Sequence, residues 1–257
     1  MLRRYVLVWL VNKSSKTKVR RREDMKAMTL SRQDIKAMDQ RERARLINSL
    51  SGFKSANLIG TCDKQGLENL AVVSSVVHLG SNPPLLGFII RPAESRRHTL
   101  ENILETQHFT INSIGAGFVQ KAHQTSARYP KSVSEFNAVG LTPYYDDVFP
   151  APFVLESPLK IGLAFKEQIT IESNQTQMLI GEVVTVHAPK RAVMPDGYLD
   201  LEALDLVTIS GLDSYHVTQR LHRLSYAKPN RSLFPLTHEG NPTSWEAFEH
   251  NLTHFVR

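Results

Sequence analysis

The stretch between Ala56 and Asn112 constrains the fold more than any other part of the chain. It consists of short aliphatic and β-branched runs separated by turn-forming residues, among them the Pro-Pro pair at 83–84. Runs of this length, bounded by Gly, Pro, Asn and Asp, are typical of antiparallel strands. The stretch therefore predicts strands at residues 56–61, 71–78, 85–90 and 109–114, with turns at 63–66 and 81–84.

The remaining segments predict more strands than helices. Two alternating runs at 158–172 and 178–187 are typical of half-buried strands joined by a turn at Asn174-Gln175. A further strand at 206–210 is expected to close the sheet, whereas Pro150-Ala151-Pro152 is interpreted as a loop. Residues 29–50 predict one or two amphipathic helices, with a capping box at Ser31 and Asp34. Short helical pieces are expected at 99–105, 115–126, 134–139 and 201–204. The fold class is mainly β, closed or sandwiched.

The charge of the chain is concentrated at its N-terminus. The formal net charge is +6, and residues 1–24 alone carry eight basic and two acidic side chains. The remainder is therefore neutral, which gives no reason to expect a nucleic-acid partner.

Residues 1–28 form a basic leader around the apolar run 5–11. This run is too short to span a bilayer, and no small-residue cleavage site comes after it. We expect a dispensable leader or an upstream start codon, with the working protein beginning at Met25 or Met28. A membrane-surface or targeting role and a part of the ordered structure are the alternatives.

Cys62 is the single cysteine, so no intramolecular disulfide can form and a reducing, cytoplasmic location is expected. No P-loop, G-x-S-x-G or G-x-G-x-x-G motif occurs, which disfavours hydrolase and nucleoside-triphosphate functions. His250 and His254 lack the glutamate of a zinc-protease motif, and we predict no metal site. No catalytic acid or base stands out.

A basic cluster, Arg96-Arg97-His98-Thr99, precedes the predicted helix at 99–105. Exposed amides at a helix start, a capping Thr99 hydroxyl and the fork of Arg97 together suit a phosphate group. A solvated basic turn is the alternative.

A pair of serines, Ser74 and Ser75, interrupts an otherwise apolar strand. Because a buried hydroxyl without a partner costs about 1–3 kcal/mol, a ligand could supply the missing partners. Simple outward alternation of the two side chains explains the pair equally well.

Taken in order, these segments resemble the flavin reductase-like family, the FMN-binding split β-barrel proteins. The resemblance extends from about Ser55 to Lys228 and rests on an ordered series of motifs, which lie at residues 57–92, 96–112, 134–143, 158–167 and 179–183. It implies a Greek-key antiparallel barrel with a few short flanking helices, here residues 29–228. It also implies a homodimer with one FMN in each of two clefts, no membrane association, and NAD(P)H as hydride donor. From Lys228 onward Pro, Asn, Ser and Thr dominate, so the composition predicts an appended, polar and weakly ordered tail at 229–257.

The resemblance also implies site residues. The segment from Val73 through Ser74, Ser75 and Val76 to Val77 would run along the isoalloxazine and ribityl chain, with the two serines donating to the ribityl or phosphate. The cluster Arg97, His98 and Thr99 would hold the phosphate, Asn112 would lie near the same cleft, and Tyr215 would stack on or border the flavin.

One departure from the family concerns Gln177. Relatives often carry a histidine at this place, a few residues before Ile-Gly-Glu-Val, and a missing histidine puts reductase turnover in doubt without affecting flavin binding. The resemblance therefore leaves three alternatives open. The first is an FMN-dependent NAD(P)H oxidoreductase, which could serve a partner oxygenase. The second is a flavin carrier or sensor without reductase activity, which could instead hold another planar cofactor, and the third is a barrel with an empty cleft.

Overall fold

The structure, a computed structural model, describes residues 28–92 and 98–246. The chain divides into two compact units, Met1–Leu46 and Ile47–Arg257. The predicted leader at 1–28 lies almost entirely outside the described residues, as does the end of the tail. The domain boundaries predicted at residues 28 and 228 stay predictions.

The first unit contains helix α1 (Arg32–Ala37) and most of α2 (Gln40–Leu50). Ser31 caps α1, since its hydroxyl accepts a hydrogen bond from the Asp34 amide at 3.2 Å. The Asp34 carboxylate in turn accepts one from the Ser31 amide at 2.7 Å. The predicted capping box and helices are confirmed.

The second unit is built mainly of antiparallel strands. The strands are β1 (Lys54–Ser55), β2 (Asn57–Cys62), β3 (Glu68–Val73), β4 (Val77–Ser81), β5 (Pro84–Ile90), β6 (His108–Ser113), β7 (Pro143–Asp146), β8 (Phe149–Val154), β9 (Lys160–Ile171), β10 (Thr176–His187), β11 (Val207–Ser210) and β12 (Ser214–Val217). The helices are α3 (His98–Thr106), α4 (Val119–Gln124) and α5 (Glu135–Val139), with 3-10 turns at Ala116–Phe118, Lys190–Ala192 and Glu202–Leu204. The mainly β fold class is confirmed.

Seven strands form the principal sheet in the order β3-β2-β6-β9-β10-β5-β4, and every neighbouring pair is antiparallel. In a flat sheet its outermost strands would lie about 29 Å apart. Residues 74–76, the β3–β4 linker, join these two strands and reach at most about 14 Å. The sheet must therefore curl into a barrel around its apolar side chains.

The two largest apolar clusters among the described residues lie on opposite faces of strand β2. Ile59 packs with Phe88, Phe109 and other sheet residues, together with Ile103 of α3. Leu58, on the opposite face of β2, packs with the cluster that includes residues of α4, α5 and β11. Alternating side chains point to opposite faces of a strand, so β2 is buried along its whole length.

Three expectations about strands are wrong. The run at 71–78 is not one strand, because β3 ends at Val73 and β4 begins at Val77. Pro150 and Pro152 lie in β8, which pairs with β7 alone and so tolerates residues without an amide proton. Finally, β11 does not close the principal sheet, because it pairs with β1 and β12 in a separate three-stranded sheet.

The segment after β12 contacts the loop that precedes the last 3-10 turn. The guanidinium of Arg223 lies 4.1 Å from the ring centroid of Tyr198, and isolated bridges pair Leu224 with Pro235 and Leu236 with Pro242. Among the described residues, no helix has the length and apolar character needed to cross a membrane.

Candidate functional site

The β3–β4 linker is fastened to strand β5 by a side chain. The Ser75 hydroxyl accepts a hydrogen bond from the Ile89 amide at 3.0 Å and lies 3.3 Å from the Ile89 carbonyl, to which it donates. The next pair in the ladder, Val77 with Gly87, is an ordinary strand pair. Ser75 thus replaces one backbone pair and lets the main chain leave β5.

This departure frees hydrogen-bond donors at a half-buried position. No described residue accepts a hydrogen bond from the amides of Ser74, Ser75 or Val76, and none pairs with the Ser74 hydroxyl. Three consecutive backbone amides and one hydroxyl are therefore available to a polar ligand. The side chains of Val73 and Val76 pack on the barrel core, while Val77 is exposed.

Thr99 and its neighbours form a buried polar cluster beside β3, the strand that precedes the β3–β4 linker. The Asn69 side chain of β3 donates to the Thr99 hydroxyl at 2.9 Å, and Asn102 donates to Thr61 at 3.2 Å. Helix α3 begins at His98, so Thr99 lies within the first turn. Thr99 ties α3 to β3, and Asn102 ties it to β2. Arg97 lies outside the described residues, and its predicted role stays a prediction.

Glu135, at the start of α5, is a buried carboxylate that sequence reasoning did not single out. It is 7% exposed, and its Oε2 accepts a hydrogen bond from the Leu70 amide at 2.9 Å. Because β3 is an outer strand of the sheet, this contact satisfies an amide that no strand reaches. Burial raises the pKa of the Glu135 carboxyl, and the Leu70 amide and the nearby His98 oppose that shift. The sequence signal that could have identified Glu135 is a serine followed by an acidic residue at the start of a short helix, directly before the buried Phe136.

Asn112 is fully buried and holds β8 against the barrel. Its amide nitrogen donates to the Leu58 carbonyl at 3.2 Å and the Thr110 hydroxyl at 2.8 Å, and its Oδ1 accepts from the Val154 amide at 2.9 Å. These contacts occupy both ends of the amide, which makes Asn112 a packing residue in this structure. Its predicted place near a flavin cleft stays a prediction.

Tyr215 lies on β12, outside the principal sheet. Its hydroxyl is 3.1 Å from Nδ1 of His123, and the two rings meet edge to face. Burial raises the pKa of the Tyr215 hydroxyl, with Asp213 contributing in the same direction. The Tyr215 ring joins the apolar cluster that also contains Val72, which is the residue before Val73.

Gln177 lies near the start of β10, opposite Ile90 of β5. Its Oε1 accepts hydrogen bonds from the Gln168 amide nitrogen at 2.8 Å and from the Thr170 hydroxyl at 3.0 Å. The side chain is therefore held along the β9–β10 hairpin. In the part of the chain that the structure describes, no group of three His, Cys, Asp or Glu residues could hold a metal ion.

Comparison with known proteins agrees with this geometry. The family model of the flavin reductase like domain matches residues 50–201. A split-barrel protein from Shewanella frigidimarina NCIMB 400, assigned as a flavin reductase, is 54% identical, with a TM-score of 0.76 over 78% of this chain and 100% of its own.

More distant structures share the fold. Nitrilotriacetate monooxygenase component B from Bacillus cereus is 22% identical, with a TM-score of 0.67 over 77% of this chain and 98% of its own. Flavoredoxin of Desulfovibrio vulgaris is 24% identical, with a TM-score of 0.58 over 80% of this chain and 96% of its own. The match over most of the barrel, together with the fold, shows that the chain belongs to the flavin reductase-like family and is a split β-barrel protein.

Proposed function

We propose that this protein is an FMN-binding oxidoreductase that passes hydride from NAD(P)H to flavin. The observation that carries the proposal is the β3–β4 linker, where residues 74–76 offer donors that nothing else in the described chain uses. Membership of the flavin reductase-like family supports the oxidoreductase class.

The residues of the linker fit a flavin in a specific way. The single proton of the Ser75 hydroxyl is directed to Ile89, so Ser74 and the three backbone amides are the donors left for the ligand. A planar ring with polar edges and a hydroxylated chain suits such a row of donors. When bound, FMN would accept hydride at its ring from a nicotinamide.

The protein's own part in this chemistry would be positional. The two hydrogen bonds between Ser75 and Ile89, here called the latch, hold the linker in place. His98, at the start of α3, lies beside β3, the outer strand that precedes the linker. Hydride transfer to a flavin demands close contact of two rings, and no acid or base from the protein is required.

A flavin carrier or sensor without reductase activity is the second candidate. The observation that favours it is Gln177, because its side-chain amide is held by Gln168 and Thr170 and offers no imidazole to a nicotinamide. Both candidates need the same linker to bind flavin, so they differ only in whether the bound flavin accepts hydride from NAD(P)H.

We also propose a homodimer, with delivery of reduced flavin to a partner oxygenase as an extension. Support for a second copy comes from the outer strand β4, which exposes Val77 at 42% and Leu79 at 41%. Exposed apolar side chains on a sheet edge are typical of interaction surfaces. Sedimentation velocity of Leu79→Lys against wild type tests this: a shift toward monomer is expected.

The deciding experiment is a visible spectrum of the purified chain, with anaerobic addition of NADH and, separately, NADPH as its second step. A flavin spectrum that bleaches rapidly is expected for the oxidoreductase. A flavin spectrum that persists would favour the carrier or sensor, and absence of binding after FMN is supplied would overturn both.

A further inference from the structure

Two cationic side chains, Lys54 and Arg91, both contact Asn48 of α2 near the end of strand β5. The Lys54 ammonium donates to the Asn48 carbonyl at 3.0 Å, and the Arg91 guanidinium lies 3.5 Å from the Asn48 side-chain oxygen. Lys54 is half-buried in the short strand β1, whereas Arg91 is exposed directly after Ile90.

The two cations have no acidic partner among the described residues. Neither forms an ion pair, and the additional contact of Lys54 is a hydrogen bond of 2.9 Å to the Gly211 carbonyl. Burial lowers the pKa of Lys54, and the charge of Arg91 lowers it further. Like charges held close together are unfavourable unless an anion offsets them.

The roles of the two residues within the fold differ. Lys54 binds carbonyls at the end of α2 and in the β11–β12 turn, which explains its position structurally. The one hydrogen bond of Arg91 to a described residue is at the limit of hydrogen-bond distance, so the described part of the fold does not explain why a cation lies there.

The pair lies close to the candidate site. Arg91 comes two positions after Ile89, the residue held by Ser75, which is about 7 Å along an extended chain. Gln177, the position at which relatives often carry a histidine, lies opposite Ile90, so Arg91 directly follows the strand partner of Gln177.

We propose that Lys54 and Arg91 bind the pyrophosphate of the nicotinamide dinucleotide, an inference that rests on the proposed function. Two cations beside each other match two adjacent anionic phosphates, and the guanidinium of Arg91 can take phosphate oxygens in bidentate fashion. The pyrophosphate is common to NADH and NADPH, so the pair supports binding of either donor.

The test measures binding of ADP-ribose, which carries the pyrophosphate without the nicotinamide, to the full chain supplied with FMN. Arg91→Gln is expected to raise the dissociation constant about tenfold or more in calorimetry, and Arg91→Lys is expected to recover part of the loss. Arg191→Gln is the matched control, because Arg191 lies beyond the opposite end of β10 and is exposed. Thermal unfolding of each variant checks that the fold is kept.

The outcomes separate this inference from the proposed function. Unchanged ADP-ribose affinity in Arg91→Gln, or no ADP-ribose binding by wild type, would overturn the inference while the flavin spectrum still tests FMN binding. A loss of FMN affinity in place of ADP-ribose affinity would also overturn it, because the pair would then serve the flavin phosphate.

Discussion

The hydroxyl of Ser75 takes both backbone hydrogen bonds of Ile89, accepting from its amide at 3.0 Å and donating to its carbonyl over 3.3 Å. One side chain thus substitutes for a strand residue at the point where the barrel sheet ends. The consequence for function is that three amides of the linker donate to no described residue and are available to a ligand.

Ser75→Ala is expected to lower the free energy of unfolding by about 1–3 kcal/mol, because it leaves two half-buried backbone groups of Ile89 without partners. Urea denaturation measures this. Ser81→Ala, which removes an exposed hydroxyl, is the control and should change stability by less than about 0.5 kcal/mol. Equal stabilities of the two variants would contradict the latch.

Ser74→Ala separates binding from folding at the same linker. Since no described residue pairs with the Ser74 hydroxyl, the free energy of unfolding should stay within about 0.5 kcal/mol of wild type. Loss of one donor should weaken FMN binding by about 0.5–1.5 kcal/mol, measured by equilibrium titration of flavin fluorescence. An unchanged FMN dissociation constant would remove Ser74 from the site.

Gly181→Ala is expected to destabilise the barrel by about 1–3 kcal/mol through overpacking. An added Cβ would lie 2.7 Å from Cζ of Phe109 and 3.0 Å from Cβ of Leu163, both of which are fully buried. Gly117→Ala is the control, because a Cβ there meets nothing within 4 Å. Thermal unfolding of both variants measures the difference in stability. An unchanged unfolding temperature for Gly181→Ala would contradict the prediction, because the core would then relax around the added methyl group.

Glu135→Gln should change how stability depends on pH. The raised pKa of buried Glu135 means that its favourable contribution is complete below the ordinary value of 4.5 and is lost as pH rises through the folded-state pKa. The glutamine can still accept from the Leu70 amide and does not ionise. Relative to wild type, the variant should therefore gain stability as pH rises above the ordinary value of 4.5, as measured by urea denaturation. A difference independent of pH would contradict the raised pKa.

Arg97→Ala should weaken FMN binding by about 1.5–3 kcal/mol, the range for charge-assisted hydrogen bonds to a phosphate. Arg97 lies outside the described residues, so this prediction rests on the sequence cluster and on the position of His98 at the start of α3. Titration of riboflavin alongside FMN isolates the phosphate, since riboflavin lacks it. Equal losses for both ligands would rule out a phosphate contact.

The local elements could largely be predicted from the sequence, because their signals are local. The capping box at Ser31, the turn at Gln175 and the strands around Ile59 and Leu179 depend on neighbouring residues and on alternation of apolar side chains. The prolines of β8 misled this reasoning, since only the tertiary structure shows that β8 has one strand neighbour.

The features of the candidate site also fall into those that the sequence determines and those that only the tertiary structure decides. The sequence by itself determined that two serines interrupt an apolar run, that a basic cluster opens a helix, and, through the order of its motifs, that the chain resembles flavin-binding split barrels. Only the tertiary structure decided that Ser75 pairs with Ile89 while the Ser74 hydroxyl pairs with no described residue, and that the Asn112 side chain is occupied by packing contacts. The physical reason is that Ser75 and Ile89 lie 14 residues apart in the chain and Asn112 and Leu58 lie 54 apart, so only folding decides which donors remain for a ligand.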